Sequence, residues 1–102
     1  MKMGYRSSFF NKSYLYNAFA EALITLGDPA SLREARVLAQ EANAYNPQYP
    51  WTHVNLAALA LSAGNDEEFR TESELAERLL AGSDSDYAMM KAVRDLRARA
   101  RR

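Results

Sequence analysis

Cysteine is absent from the 102 residues, which removes disulfides and thiolate metal sites and leaves the redox compartment open. Histidine occurs once, at His53. His53 has no second ring, cysteine or acid triplet to draw on, so neither a metal site nor a general base is expected there. Net charge is zero, with thirteen basic and thirteen acidic residues, so bulk charge attracts neither nucleic acid nor an anionic membrane. No apolar run reaches bilayer length, and residues 1–10, with Lys2 and Arg6, lack the continuous apolar stretch of a signal peptide. The chain is thus expected to be soluble and by default cytoplasmic, although a domain of a longer exported or membrane protein reads the same way. A glycine-rich phosphate loop, an H-E-x-x-H helix and a G-x-S-x-G elbow are all missing, and the Glu67-Glu68 pair suits the positive end of a helix. No enzyme, cofactor or metal is expected.

Alternating apolar and polar residues are lacking as well, so strands are not expected and the fold class is all-α. What remains is helical spacing cut by three prolines and four glycines. Tyr14, Leu15, Ala18, Phe19, Ala22, Leu23 and Leu26 recur at steps of three and four, which predicts a first helix starting between Ser8 and Ser13, buried along that stripe and ended by Gly27. After Asp28-Pro29, Ser31 with Glu34 has the form of a capping box opening a second helix, with Leu32, Ala35, Leu38, Ala39, Ala42 and Tyr45 inward and Asn46-Pro47 as its stop. Pro50 presets a third helix over 50–63, with Val54, Leu56, Ala57, Leu59, Ala60 and Leu61 largely buried, and Gly64 ends it. Asn65 with Glu68 caps a fourth helix, with Phe69, Ala76, Leu79 and Leu80 inward, closing near Gly82. A fifth is expected over 84–99 after a polar start at 83–86, with Met89, Ala92, Val93, Leu96 and Ala100 as a narrow apolar stripe.

The segments 14–47 and 51–81 read as one helix–turn–helix unit written twice. Phe19 to Leu56, Ala20 to Ala57 and Gly27 to Gly64 are each separated by thirty-seven residues, whereas Ala42 to Ala76 is thirty-four. An insertion of three within 28–31 of the first unit accounts for the difference. Short links make successive helices antiparallel.

These units resemble the tetratricopeptide repeat, a helical hairpin of about thirty-four residues. Tyr16, Phe19, Ala20 and Leu23 fall on the family's first-helix sites, Ala35 and Ala42 on the small sites of its second helix, and Pro47 on its closing proline. In the second unit His53, Leu56, Ala57 and Ala60 match the first helix, and Phe69 and Ala76 the second, while Tyr87 and Met90 take the corresponding sites of a terminal helix. His53 stands where an aromatic is usual, Phe69 where a small residue is usual, and the second unit lacks the proline. The resemblance implies a right-handed stack of antiparallel helical hairpins, comprising a lead-in over 1–13, two repeats over 14–83 and a covering helix with a basic tail over 84–102.

It also implies a function. The first helices of such units line a concave groove that takes a peptide or a partner's helix, here through Tyr14, Asn17, Glu21, Ile24, Trp51, Val54, Asn55, Ala58 and Leu61. Asn17 and Asn55 are expected to orient the guest, and Trp51, Val54 and Leu61 to supply apolar contact. A subclass grips a terminal carboxylate with a lysine and asparagines. In this chain Asn17 and Glu21 stand where the lysine and one asparagine belong, with Ser85 and Met89 at later basic sites, and Glu21 repels such a ligand. Trp51 with Tyr45 and Tyr49 is expected to seal the joint between units, and Tyr5, Phe9 and Phe10 to pack over helix one or to remain from a contact with a preceding repeat.

Charge is unevenly placed. Eight acidic residues lie within 66–86, and Lys91, Arg94, Arg97, Arg99, Arg101 and Arg102 follow. These arginines are read as a solvated helix end near an acidic helix, because no aromatic is interleaved to stack on bases. The expected function is a protein-protein interaction module. Its rivals are a self-associating scaffold, a regulatory domain of a larger protein, and a polyanion or membrane adaptor using Arg94, Arg97, Arg99, Arg101 and Arg102.

Overall fold

The computed structural model describes residues 2–81 and 87–101, with side chains for 12–81 and 88–101. Five helices follow in order: α1 (Lys2–Leu26), α2 (Pro29–Tyr45), α3 (Pro50–Ala63), α4 (Asp66–Ala81) and α5 (Tyr87–Ala100), and the described residues contain no strand. Among them no helix is long and apolar enough to cross a membrane. The expected polar start at 83–86, the closure at Gly82, the side chains of Tyr5, Phe9, Phe10 and Tyr87, and Arg102 lie outside what is described.

Two glycines turn the chain between paired helices. Gly27 and Gly64 have φ of 79° and 74°, a left-handed conformation open to glycine without a Cβ penalty. At Gly64 the amide donates to the Leu61 carbonyl at 3.2 Å and that of Asn65 to the Ala60 carbonyl at 2.9 Å, satisfying two carbonyls at the end of α3. Each turn leads into a cap. Asp28 accepts from the Ser31 amide at 3.1 Å and from the Ser31 hydroxyl at 2.6 Å, and these bonds, the hydroxyl's first, hold its carboxyl below the usual range. Asn65 accepts from the Glu68 amide at 3.1 Å and donates to its carboxylate at 3.3 Å, so the second expected cap is present. The first expected one is not: Asp28 caps α2, and Ser31 sits in its first turn because Pro29 already supplies the first helical φ.

Both links are therefore two residues long, and Gly27, Asp28 and Pro29 stand thirty-seven residues before Gly64, Asn65 and Asp66. The insertion expected within 28–31 is absent. Ala39 and Ala76, each fully buried, are the equivalent small residues of α2 and α4, at the same spacing of thirty-seven. Ser13 Oγ reaches the Ala42 carbonyl and the Tyr16 ring meets Tyr45, so the middle of α1 lies beside the end of α2 and, with the two-residue link joining their other ends, the pair is antiparallel.

α3 is the central pillar. It packs on α1 and α2 through a cluster of Ala20, Ala35, Ala39, Leu56 and Leu59, and on α4 and α5 through Val54, Ala57, Ala76, Leu80, Val93 and Leu96. Burial on every side explains why its sequence has no single apolar stripe. α5 begins at Tyr87 and turns Val93 and Leu96 inward as expected, whereas Ala100 is exposed.

α1 departs most from expectation. It begins at Lys2, not between Ser8 and Ser13, so the lead-in is helical. Among its described side chains Ser13, Asn17 and Ala20 are buried, while Tyr14, Leu15, Phe19 and Leu26 are exposed by 53, 49, 58 and 69%. Most of the stripe expected inside therefore faces out, with Ala18 half-buried and Leu23 alone packed against the core. The physical reason is close approach: α1 meets the fully buried alanines Ala35, Ala39 and Ala42 of α2, and at such a short separation only small or hydrogen-bonded side chains fit.

A Cβ at Gly64 would meet nothing within 4 Å, so Gly64→Ala isolates the backbone cost. We predict a loss of about 1–2 kcal/mol, with Gly64→Asn losing less, read from urea unfolding midpoints.

Candidate functional site

Where α1 crosses α3, polar side chains meet in a dry junction. Asn17 and Thr52 are fully buried and Asn55 nearly so. Asn17 Nδ2 donates to the Thr52 hydroxyl at 2.8 Å and to the Ser13 carbonyl at 3.0 Å, and Asn55 Nδ2 donates to Asn17 Oδ1 at 2.9 Å and to its carbonyl at 3.1 Å. Every donor of the two amides is bonded, so their desolvation is compensated. The two asparagines expected to face a guest instead face each other. Asn17 is lost to the interior as a contact residue, and Asn55 keeps its Oδ1 with no hydrogen bond among the described residues.

Beside this junction lies an open cleft of about 410 Å³ between α1, α3 and α5. Its floor is apolar, formed by Ile24, Val54, Ala58, Met89, Ala92 and Leu96, with Asn55 at its edge. Glu21, Thr25, Asp95 and Arg99 stand around the rim. Of the expected groove residues, Glu21, Ile24, Trp51, Val54, Asn55 and Ala58 are brought together here. Leu61 packs against the α3–α5 core, and Tyr14 lies edge-on to Trp51 with ring centroids 5.2 Å apart. The α5 wall was missed by sequence reasoning, although its apolar stripe is longer than the part that Val93 and Leu96 bury.

Trp51 ties the wall together. Its indole Nε1 donates to Glu21 Oε1 at 2.9 Å, and Tyr49 packs against it with ring centroids 6.4 Å apart. Tyr14, Trp51 and Tyr49 pack together where α1 meets α3, whereas Tyr45 packs against Tyr16, and the indole holds the Glu21 carboxylate at the cleft mouth.

His53 forms a second buried link, 4% exposed. Its Nδ1 lies 2.6 Å from Glu72 Oε1 on α4, and its Nε2 lies 2.7 Å from the Pro47 carbonyl in the α2–α3 link. A neutral ring has one N–H, so two acceptors call for the imidazolium. Burial opposes the charge, but the Glu72 hydrogen bond, the Pro47 carbonyl and the Glu72 charge outweigh it, and the pKa is raised above 6.5. Both ring nitrogens of His53 are thus hydrogen-bonded within the fold. Its acceptor Glu72, nineteen residues away, carries no sequence signal.

The basic tail is divided. Arg97 bonds Glu77 of α4 at 3.0 Å, Arg99 lines the cleft, and Arg94 and Arg101 are exposed.

Two outcomes follow from these buried links. Asn17→Ala strands Asn55 and Thr52 and is expected to cost about 2–4 kcal/mol, against about 1 for Thr52→Val, measured by chemical denaturation. The folded chain holds the His53 proton more tightly than the unfolded chain, so its contribution is complete below pH 6.5 and fades as pH rises through the raised folded value. The wild-type unfolding midpoint should therefore fall on the alkaline side of 6.5, and Glu72→Gln should flatten that slope.

No family model, curated protein or solved structure matches the chain.

Proposed function

We propose that this chain is an interaction module of the tetratricopeptide kind, two helical hairpins whose equivalent residues stand thirty-seven apart, in a right-handed stack covered by α5, and that the cleft between α1, α3 and α5 holds an apolar peptide segment or a partner's helix. The observation that carries this reading is the cleft itself. Its floor is apolar and already shaped, its volume of about 410 Å³ suits a few side chains, and its polar groups sit at the rim, where they fix register without being desolvated. Small residues at the helix crossings, Ala20, Ala35, Ala57 and Ala76, support the stacked arrangement.

The guest's chemistry follows from the walls. Apolar side chains three or four residues apart match a floor built by three helices. Asn55 Oδ1 offers an acceptor to a backbone or side-chain N–H. Glu21 and Asp95 favour a guest with a cation at one end, and Arg99 lies one turn beyond Asp95 on α5. Val54 and Leu96 lie at the bottom and are already almost fully buried, so the half-buried Ile24, Ala58, Met89 and Ala92 supply the guest's apolar contact.

Panning a displayed peptide library on the folded chain tests this. Enriched peptides should carry paired apolar residues with a nearby lysine or arginine. Ala58→Trp, which fills the floor, and Ala88→Trp, on the exposed α5 wall, should each weaken binding about tenfold or more while leaving the circular dichroism melt unchanged. Equal binding by both variants, or no enrichment on the wild type, overturns the proposal.

A further inference from the structure

Among the described residues, α1 carries large apolar side chains on a side that no other described element covers. Leu15, Phe19 and Leu26 are 49, 58 and 69% exposed, and Ala22 is exposed with them. Advancing about 100° per residue, these four positions fall within about 60° of one another and opposite Ser13, Asn17 and Ala20, which face the interior. Between residues 13 and 26 the sequence has one charged side chain, Glu21, and that carboxylate is turned toward Trp51. A solvent-facing helix surface ordinarily carries charge. This one carries an aligned apolar seam.

The seam has an internal symmetry. Its steps are four, three and four residues, the spacing of coiled-coil contact positions, and they read the same from either end. Its residue sizes complement themselves on reversal. When two copies lie antiparallel about a twofold axis midway between Phe19 and Ala22, Phe19 meets Ala22 of the second copy and Leu15 meets Leu26 of the second copy. The largest side chain falls over the smallest at both central positions, which is the condition for close interdigitation. Since no charged residue lies in the seam, a surface meeting its own duplicate brings no like charges together.

We infer that the outer face of α1 is a self-association surface, on which two copies of this chain pair antiparallel through Leu15, Phe19, Ala22 and Leu26. The exposed parts of these side chains amount to roughly 400 Å² per copy, and with the flanking Ala18 and Leu23 the pair buries about 1,000 Å² in all. That lies at the small end of specific interfaces and corresponds to a reversible, concentration-dependent dimer. Glu21, Ile24 and Thr25, which line the cleft, point to another side of α1. Pairing leaves both clefts open, and a dimer presents two guest sites at once, so a guest with two binding segments gains avidity without any new contact. The inference stands on a different surface from the cleft and does not depend on what the cleft binds.

Sedimentation of the full chain from about 10 µM to about 1 mM should show the monomer giving way to a dimer. Phe19→Ala leaves a hole and Ala22→Phe sets ring against ring, so each alone should weaken the dimer about tenfold or more. The double variant Phe19→Ala with Ala22→Phe exchanges large for small and should restore association to within about threefold of wild type. All these positions are exposed in the single chain, so circular dichroism should show unchanged folding. Because the sequence has no cysteine, cross-linking reads the direction of pairing. Leu15→Cys with Leu26→Cys should oxidise to a covalent dimer, whereas Leu15→Cys alone should not, its two copies being far beyond disulfide reach. A monomer at every concentration overturns the inference and assigns the seam to a different partner. Failure of the exchanged pair to recover, or ready cross-linking by Leu15→Cys alone, overturns the antiparallel register.

Discussion

The junction of Asn17, Thr52 and Asn55 sets how the first helical hairpin sits against the second. Apolar packing alone tolerates sliding, since one methyl group resembles another to a facing surface. Amides and a hydroxyl sealed from water do not, because each hydrogen bond holds only near 3 Å and with correct alignment. Asn55 donates to both the side chain and the backbone carbonyl of Asn17, which fixes α3 against α1 along the helix axis as well as around it. The width of the cleft beside the junction follows from that placement, and so does the position of Trp51, one residue before Thr52, which reaches across to Glu21.

α4 shows a second use of polar contacts. Its acidic excess is plain in the sequence, and three of its carboxylates each bond a different helix. Glu68 takes Arg36 of α2, Glu72 takes His53 of α3, and Glu77 takes Arg97 of α5. The first and last pairs are partly exposed and contribute little individually. The His53 pair is enclosed and carries more. Together they give one short helix a distinct address on each neighbour, which apolar Ala76 and Leu80 could not supply alone.

Helix boundaries, turns and the core of the second hairpin were legible because local chemistry decides them. Pro50 at a first turn, Gly64 in the left-handed region and Asn65 as a cap act within a few residues of themselves. The face of α1 was not legible, since it depends on a distance between helices that no local pattern records. Leu15, Phe19 and Leu26 have the spacing of a buried stripe, and Ser13 and Asn17 the polarity of an outer one. The alanines of α2 bring the helices so close that the assignment reverses. Half of the cleft was visible in the first-helix positions of each unit, and its α5 wall was not, because it depends on where α5 docks against α3, far from it in sequence. The thirty-seven-residue spacing was visible at the glycines but obscured in the second helices, where Ala42 rather than Ala39 looked equivalent to Ala76.

The reversal in α1 has an energetic consequence. Leu15 and Phe19 give folding only part of what a core position would, since about half of their surface, 49 and 58%, stays in water. Replacing them with lysine or glutamate would cost the fold less than at a core position and would lower the risk of indiscriminate association. The interior face of the same helix has the opposite economy, with Ala20 and Asn17 both fully buried and tightly specified. A helix that keeps its small and amide side chains inside and its large apolar ones outside is organised around contacts on two sides. One of these is made within the chain, and the other requires a second surface to complete it.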